Sequence, residues 1–281
     1  MNHSYLAGLL DGDGWITLIG PSKHLTVAIS LRDGNLKEAL NRIVNYVGGH
    51  IYQTKRTTMW QVTGTEAVEV LAKLEPHTVV KGGLAKIVRM HYGKSHDVCA
   101  SLVDAERPKE HSIEKHMGSL REVTTDEASY AAGFFDAEGS VYVSKGRTSA
   151  HSGTLKPRCE PISLTVNLSQ CDCRPLVWVA DRWGGNVYKR KHKGPVCGYT
   201  HVTQLMGAKA LRFLKDIAPY VIVKREEVDV VLRSWRFADN KGGKDCLADN
   251  QALRADRLAL KGELEAIRKR NKASGARPPS A

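Results

Sequence analysis

Two carboxylates follow an apolar stretch near the start of the chain, in YLAGLLDGDG at residues 5–14. Asp11 and Asp13 lie at the end of what reads as an apolar helical turn, where acidic side chains oppose the helix macrodipole. Helix stability alone therefore does not account for them. Either this segment is a polar turn that leads into a strand, or the carboxylates hold something positive.

The same pattern occurs a second time, in YAAGFFDAEG at residues 130–139. Tyr, Ala, Gly, Asp and the last Gly are identical in register, and Glu138 stands where the first copy has Asp13. Three further pairs follow in the same order: LTVAIS at 25–30 with LTVNLS at 164–169, GGHIY at 48–52 with GGNVY at 184–188, and LEPHTVVK at 74–81 with DIAPYVIVK at 216–224. The chain therefore contains one unit twice.

Hydrophobic periodicity and turn residues predict the element order α-β-β-α-β-β-α-α in each copy. For the first copy they predict strands at 15–20 and 24–31, a helix at 35–47, a hairpin at 50–63 and helices at 65–74 and 82–92. For the second they predict strands near 140–145, 160–170, 186–191 and 198–204, with helices at 173–182, 207–217 and 224–236. We expect half-domains at 1–93 and 126–238, a polar linker at 94–125, and a tail at 239–281 with a basic helix at 250–269.

Small residues recur on one face of the two motif helices: Ala7, Gly8, Gly12, Ala132, Gly133 and Ala137. Small side chains at this spacing let two helices approach closely, so we expect the pair to pack about a pseudo-twofold axis. Asp13 and Glu138 would then lie side by side, where they repel each other unless a cation lies between them. Oxygen ligands without an adjacent histidine favour Mg²⁺ over zinc.

The charge balance indicates a polyanionic partner. The chain has 42 Lys+Arg against 30 Asp+Glu and a net charge of +12, which favours nucleic acid or an anionic membrane surface. The sequence has no run of about 18 apolar residues, so it predicts no membrane span, and no signal peptide is recognisable at the N-terminus. We therefore expect an intracellular protein, in an organelle (mitochondrion or chloroplast) or in a bacterial cytoplasm, and no membrane partner.

The six cysteines form no CxxC pair, and reduced thiols are expected. Four of them lie between Cys159 and Cys197, close to His192, which leaves a zinc site open.

LAGLLDGDG and AAGFFDAEG resemble the two copies of the signature of LAGLIDADG homing endonucleases in their single-chain form, and the resemblance covers about residues 3–237. It implies an α+β fold of two pseudo-symmetric αββαββα half-domains, each with a four-stranded antiparallel, saddle-shaped sheet that faces DNA. It also implies a monomeric, site-specific endonuclease that makes a double-strand break in a long duplex. The implied cofactor is Mg²⁺, as two or three ions at the half-domain interface, with Mn²⁺ or Ca²⁺ able to substitute for binding.

The resemblance assigns roles to individual positions. The last acid of each motif, Asp13 and Glu138, would bind the metal, with the preceding Gly12 and Ala137 in the same site. The first acids of the two motifs would instead cap and orient the helix ends. The implied catalytic set is Asp13, Glu138, Gln170 at the end of the second strand, and the two lysines of the P-x4-K segments, Lys81 and Lys224. The first copy has Leu31 followed by Arg32 where the second has Gln170, so the two catalytic environments should differ.

The second hairpin of each copy carries polar and basic side chains that suit base edges and phosphates. The expected DNA contacts are Arg32, Gln53, Lys55, Arg56 and Gln61 in the first copy, and Lys189, Arg190, Lys191, His192 and Lys193 in the second. Because the two sets differ, the target should be asymmetric. Two alternatives remain open on this fold: an intron maturase that binds host intron RNA, and a non-catalytic DNA-binding regulator.

Overall fold

The first unit contains the predicted elements in the predicted order. A computed structural model describes residues 1–19, 24–31, 36–53, 57–93, 96–106, 113–145, 162–191, 199–235 and 246–275. The elements of the first unit are α1 (His3–Asp13), β1 (Gly14–Ile19), β2 (His24–Leu31), α2 (Leu36–Val47), β3 (His50–Gln53), β4 (Thr58–Thr63), α3 (Gly64–Leu74) and α4 (Gly82–His91), with a short 3₁₀ turn at Glu75–His77 between the last two.

The second unit repeats this order after a connecting segment. That segment contains α5 (His96–Glu106) and β5 (Lys115–Met117). The elements that follow are α6 (Thr125–Glu138), β6 (Gly139–Lys145), β7 (Ile162–Gln170), α7 (Arg174–Trp183), β8 (Asn186–Lys191), β9 (Tyr199–Met206), α8 (Ala208–Ile217), α9 (Arg225–Ser234) and α10 (Cys246–Gly275). Helix α10 is longer at both ends than the predicted helix at 250–269.

The two sheets are antiparallel and share one strand order, which confirms the α+β class. The first sheet has the order β1-β2-β4-β3, and the second has the order β6-β7-β9-β8 with β5 added beyond β8. The four strands expected in each half-domain are present, and β5, from the connecting segment, adds a fifth strand to the second sheet. Strand β5 has only three residues, KHM, too short to show a period of two, and its pairing with β8 depends on tertiary contacts.

Helices α1 and α6 form the centre of the molecule. Both are buried on all sides over most of their length, from Ser4 to Asp11 and from Ala128 to Asp136, as expected for helices that are not amphipathic. They pack backbone against backbone: a Cβ on Gly8 would lie 2.1 Å from the carbonyl oxygen of Tyr130, and one on Gly133 would lie 2.0 Å from that of Tyr5. Only glycine permits this approach, so the small residues of the repeated motif are what bring the two halves together.

Helix α10 covers the edge of the second sheet. β6 is an edge strand, and Arg268 of α10 donates a hydrogen bond to the carbonyl oxygen of Val141 in it. Covering an edge strand with a helix satisfies backbone groups that would otherwise be open to pairing.

Among the helices that the structure describes, none combines the length and the hydrophobicity that a membrane span requires.

Candidate active site

The last acids of the two motifs meet at the C-terminal ends of the paired helices. Gly12 lies against Ala137 and Glu138, since a Cβ on it would be 2.4 Å from the Ala137 Cβ and 3.3 Å from the Glu138 Cγ. Burial and then the nearby charge of Asp13 raise the pKa of Glu138 to about 7, although Lys224 and Lys81 oppose the shift. The site therefore contains two carboxylates that resist being ionised together.

The first acids of the motifs have a different role. Asp11 is fully buried, and its carboxylate accepts hydrogen bonds from the backbone N–H groups of Val79, Val80 and Lys81 at 2.7–3.0 Å. Asp11 was expected to cap and orient helix ends, and in the structure it fixes the backbone just ahead of α4.

Asp136 repeats this arrangement in the second unit, where it accepts from the N–H groups of Ile222, Val223 and Lys224 at 2.7–3.0 Å. Each of these acids also accepts a hydrogen bond from a tyrosine of the other motif. The Tyr5 hydroxyl donates to Asp136 at 2.6 Å, and the Tyr130 hydroxyl donates to Asp11 at 2.8 Å. Sequence reasoning assigned no role to these tyrosines, although their identity in both copies was a usable signal.

The two P-x4-K lysines lie at the ends of the motif helices. The Nζ of Lys81 donates to the carbonyl oxygens of Leu10 and Asp11 at 2.7 and 2.8 Å. The Nζ of Lys224 donates to those of Phe135 and Asp136 at 2.9 and 2.8 Å. Burial lowers the pKa of both lysines, and neighbouring carboxylates, Asp11 for Lys81 and Asp136 for Lys224, act against it. Each lysine thus places a cation at the negative end of a helix dipole.

The two sides of the acid pair are not equivalent. On one side the Gln170 Nε2 donates to the carbonyl oxygen of Asp11 at 2.8 Å, the same oxygen that Lys81 contacts. Strand registers with β1 and β6 make Leu31 the counterpart of Gln170, and Leu31 lines a cleft of about 440 Å³ together with Asp13 and Lys224. One half of the site therefore has an amide where the other has an apolar side chain.

These residues fit a divalent cation. The Glu138 carboxylate lies beside that of Asp13 and has a raised pKa, a shift that a bound cation would reverse by favouring the ionised form. The Oε1 atom of Gln170 is buried and has no hydrogen-bond partner among the described residues, and the amide that carries it contacts the backbone of Asp11. A hard cation such as Mg²⁺ prefers such oxygen ligands. In the part of the chain that the structure describes, no group of three or more His, Cys, Asp or Glu side chains forms a separate metal site.

Cys99, Cys171 and Cys173 form no disulfide. Cys159 and Cys197, at the ends of the cysteine cluster, lie outside the described residues, as does His192, so the zinc alternative stays a prediction.

Each sheet has one face toward the helices and an opposite face, which we call the open face. Residues that pair directly across strands share a face, and neighbours along a strand alternate. The open face of the second sheet carries Tyr142, Asn167 and Gln204: the Asn167 Nδ2 donates to the Tyr142 hydroxyl at 2.8 Å, and the Gln204 Nε2 donates to the Asn167 Oδ1 at 3.4 Å. Sequence reasoning missed these three residues, although the alternation of β6, β7 and β9 was a usable signal.

The register divides the predicted DNA contacts between the two faces. Gln61 pairs with His50 and lies on the open face of the first sheet, whereas Gln53 pairs with Thr58 on the face of Trp60. In the second sheet Arg190 is exposed and on the open face.

Lys189 and Lys191 pair with His201 and Tyr199 on the other face, where the Lys189 Nζ lies 3.2 Å from a Glu114 carboxylate oxygen and 4.1 Å from the Tyr199 ring centre. The remaining predicted contacts, Arg32, Lys55, Arg56, His192 and Lys193, lie outside the described residues.

No protein-family model and no curated protein sequence matches the chain. Its structure is similar to a number of solved structures, which include the following three. The LAGLIDADG meganuclease I-AabMI bound to uncleaved DNA superposes with a TM-score of 0.59 at 16% identity, covering 96% of this chain and 98% of that one. The LAGLIDADG homing endonuclease I-GzeII in complex with its DNA target gives 0.56 at 14% identity, over 94% and 97% of the two chains. I-SmaMI bound to uncleaved DNA in the presence of calcium ions gives 0.58 at 13% identity, over 94% and 99%. The fold implied by the two motifs is thus confirmed.

Proposed function

We propose that this protein is a site-specific homing endonuclease that makes a double-strand break in a long, asymmetric DNA duplex with the help of a divalent cation, Mg²⁺. The observation that carries the proposal is the juxtaposition of Asp13 and Glu138 on the paired motif helices, with Lys81 and Lys224 at the same helix ends. The similar solved structures are of LAGLIDADG proteins bound to DNA, which supports the choice of substrate. An intact acid pair and both lysines favour a nuclease over a non-catalytic regulator on this fold.

Asp13 and Glu138 would hold the cation, which supplies Lewis acidity toward a phosphodiester. The chain's own residues would do the rest. Asp11 and Asp136 fix the backbone of the two lysines through three N–H donors each, so the ammonium groups are held in place before substrate binds. A positioned ammonium stabilises the negative charge that develops on a phosphodiester during hydrolysis.

The open faces of the two sheets would read the duplex. Amide and hydroxyl side chains suit base edges in the major groove, and Arg190 suits guanine. The first sheet presents Gln61, His50 and Tyr52 on this face, and the second presents Tyr142, Asn167 and Gln204. Because these sets differ, a single chain would recognise two different half-sites.

The test measures DNA cleavage and DNA binding by the variants Asp13→Asn and Glu138→Gln, with Asp229→Asn as the control. Asp229 is an exposed acid on α9, so this change removes one negative charge without touching the site. The substrate is recovered by selecting cleaved sequences from a randomised duplex library. We expect both active-site variants to lose cleavage in Mg²⁺ while retaining binding, because removing a carboxylate beside a phosphate removes a repulsion. Normal cleavage by both variants would contradict the assignment.

A further inference from the structure

The last turns of helix α10 are anchored beside the active site. Leu260, Leu264 and Ile267 are buried, and the next residue, Arg268, lies 2.9 Å from the carboxylate of Glu227. Glu227 is only 6% exposed, and Arg268 also donates to the carbonyl oxygen of Val141. A hydrogen-bonded ion pair with one buried partner fixes orientation more firmly than two exposed charges do, so the end of α10 has a defined position.

That position brings α10 to the cleft of about 440 Å³ that Asp13 and Lys224 line. Arg268, Asn271 and Lys272 form part of its wall, and Lys272 is exposed. The cleft thus has a carboxylate of the acid pair at one side and amide and ammonium donors at another. Such donors are the groups that bind phosphate oxygens of nucleic acid.

The cleft lies in the half of the site to which the sheet contributes no amide side chain. Leu31 occupies the position that Gln170 occupies on the Lys81 side, and an apolar side chain offers no hydrogen bond to a phosphate. Helix α10 packs on α9 and β6 of the second unit. It therefore reaches the half of the site that contains Lys224 and Leu31.

We propose that Asn271 and Lys272 complete this half-site by binding a phosphodiester of the DNA strand that is cut beside Lys224. The proposal rests on the proposed nuclease function. Lys272 lies in the last turn of α10, where a lysine also complements the helix dipole, a structural role that thermal melting would report. Lys269 is exposed on the same helix and does not line the cleft, so it controls for the loss of a positive charge from α10.

The experiment compares Lys272→Ala and Asn271→Ala with wild type and with Lys269→Ala, which carries the same charge change. The probe is a duplex recovered from the randomised library, with a different dye on each strand, in saturating Mg²⁺ and excess enzyme. Loss of a charged phosphate contact should slow hydrolysis of one strand about tenfold, with nicked duplex accumulating, while the other strand is cut at the wild-type rate. Lys269→Ala should cut both strands at wild-type rates, and thermal melting should be the same for all four proteins.

Equal effects of Lys272→Ala and Lys269→Ala, or an equal slowing of both strands, would overturn the inference and leave the nuclease function in place. Failure of the wild-type protein to cut any duplex would overturn the proposed function, and this inference with it. Selective slowing of the cleavage of one DNA strand by Lys272→Ala would support both the inference and the proposed nuclease function.

Discussion

Glu138→Gln should stabilise the metal-free protein at alkaline pH, although the same change is expected to abolish cleavage. Burial and the charge of Asp13 raise the pKa of Glu138 from 4.5 to about 7, whereas the unfolded chain has the ordinary value. Between these values the folded protein holds a proton that the unfolded chain has released, so the free energy of unfolding falls as pH rises. The stability associated with the neutral carboxyl is present below pH 4.5 and lost above pH 7.

The size of the effect follows from the two pKa values. At about 1.4 kcal/mol per pKa unit, ionised Glu138 costs the folded state about 3 kcal/mol at pH 8 and about 1 kcal/mol or less at pH 5. Gln keeps the shape of the side chain and never ionises. The stability of Glu138→Gln relative to wild type should therefore increase by about 2 kcal/mol from pH 5 to pH 8.

Urea unfolding in EDTA at pH 5, 6.5 and 8, followed by the fluorescence of the five tryptophans, measures this difference. Asp229→Asn, which removes an exposed carboxylate, is the control for the loss of one negative charge. Asp13→Asn should stabilise with the same sign, since it removes a charge that raises the pKa of Glu138. If Glu138→Gln is no more stable than wild type at pH 8, or if their difference is constant with pH, the reasoning about the acid pair is refuted.

Three further predictions concern the helix pair and the open face. Gly8→Ala should destabilise the protein by about 2–3 kcal/mol, because the added Cβ would lie 2.1 Å from a backbone atom of the other helix. Gly262→Ala on α10 should instead stabilise the protein by up to about 1 kcal/mol, because the added Cβ would have no atom within 4 Å. Urea unfolding measures both changes. Tyr130→Phe should cost about 2 kcal/mol in the same assay, since it leaves a buried carboxylate of the other half with one donor fewer. Arg190→Ala should weaken binding to the selected duplex more than Lys191→Ala does, because Arg190 lies on the open face and Lys191 on the opposite face. Fluorescence anisotropy at fixed salt measures both affinities, and equal losses would contradict the face assignment.

The repeated motif contained most of the information about the site. Gly8 and Gly133 lie at the closest approach of the two helices, as their small size and spacing predicted, because helical periodicity is local and can be read from one segment. The same spacing put Asp13 and Glu138 at one end of the pair. The equal interval between Pro and Lys in LEPHTVVK and DIAPYVIVK predicted equivalent positions for Lys81 and Lys224. The segments alone did not predict which atoms these lysines contact.

The contacts that position the site depended on tertiary structure. Asp11 binds backbone 68–70 residues further along the chain, and Tyr130 reaches it from the other unit. Sequence periodicity cannot predict contacts between residues so far apart in the chain, because it relates only residues within one element. The face of each charged residue on β8 was also undecided by the sequence, because a register change of one residue moves every side chain to the other face.

The sequence by itself thus determined that two equivalent halves meet through glycine-bearing helices that each end in an acid. Tertiary structure decided what Gln170 contacts, the carbonyl oxygen of Asp11, and it brought the end of α10 to the cleft that Leu31 lines. The physical reason is that small-residue spacing specifies how closely two helices approach. Which side chains line the resulting site depends on how distant segments such as β2 and α10 pack around that pair.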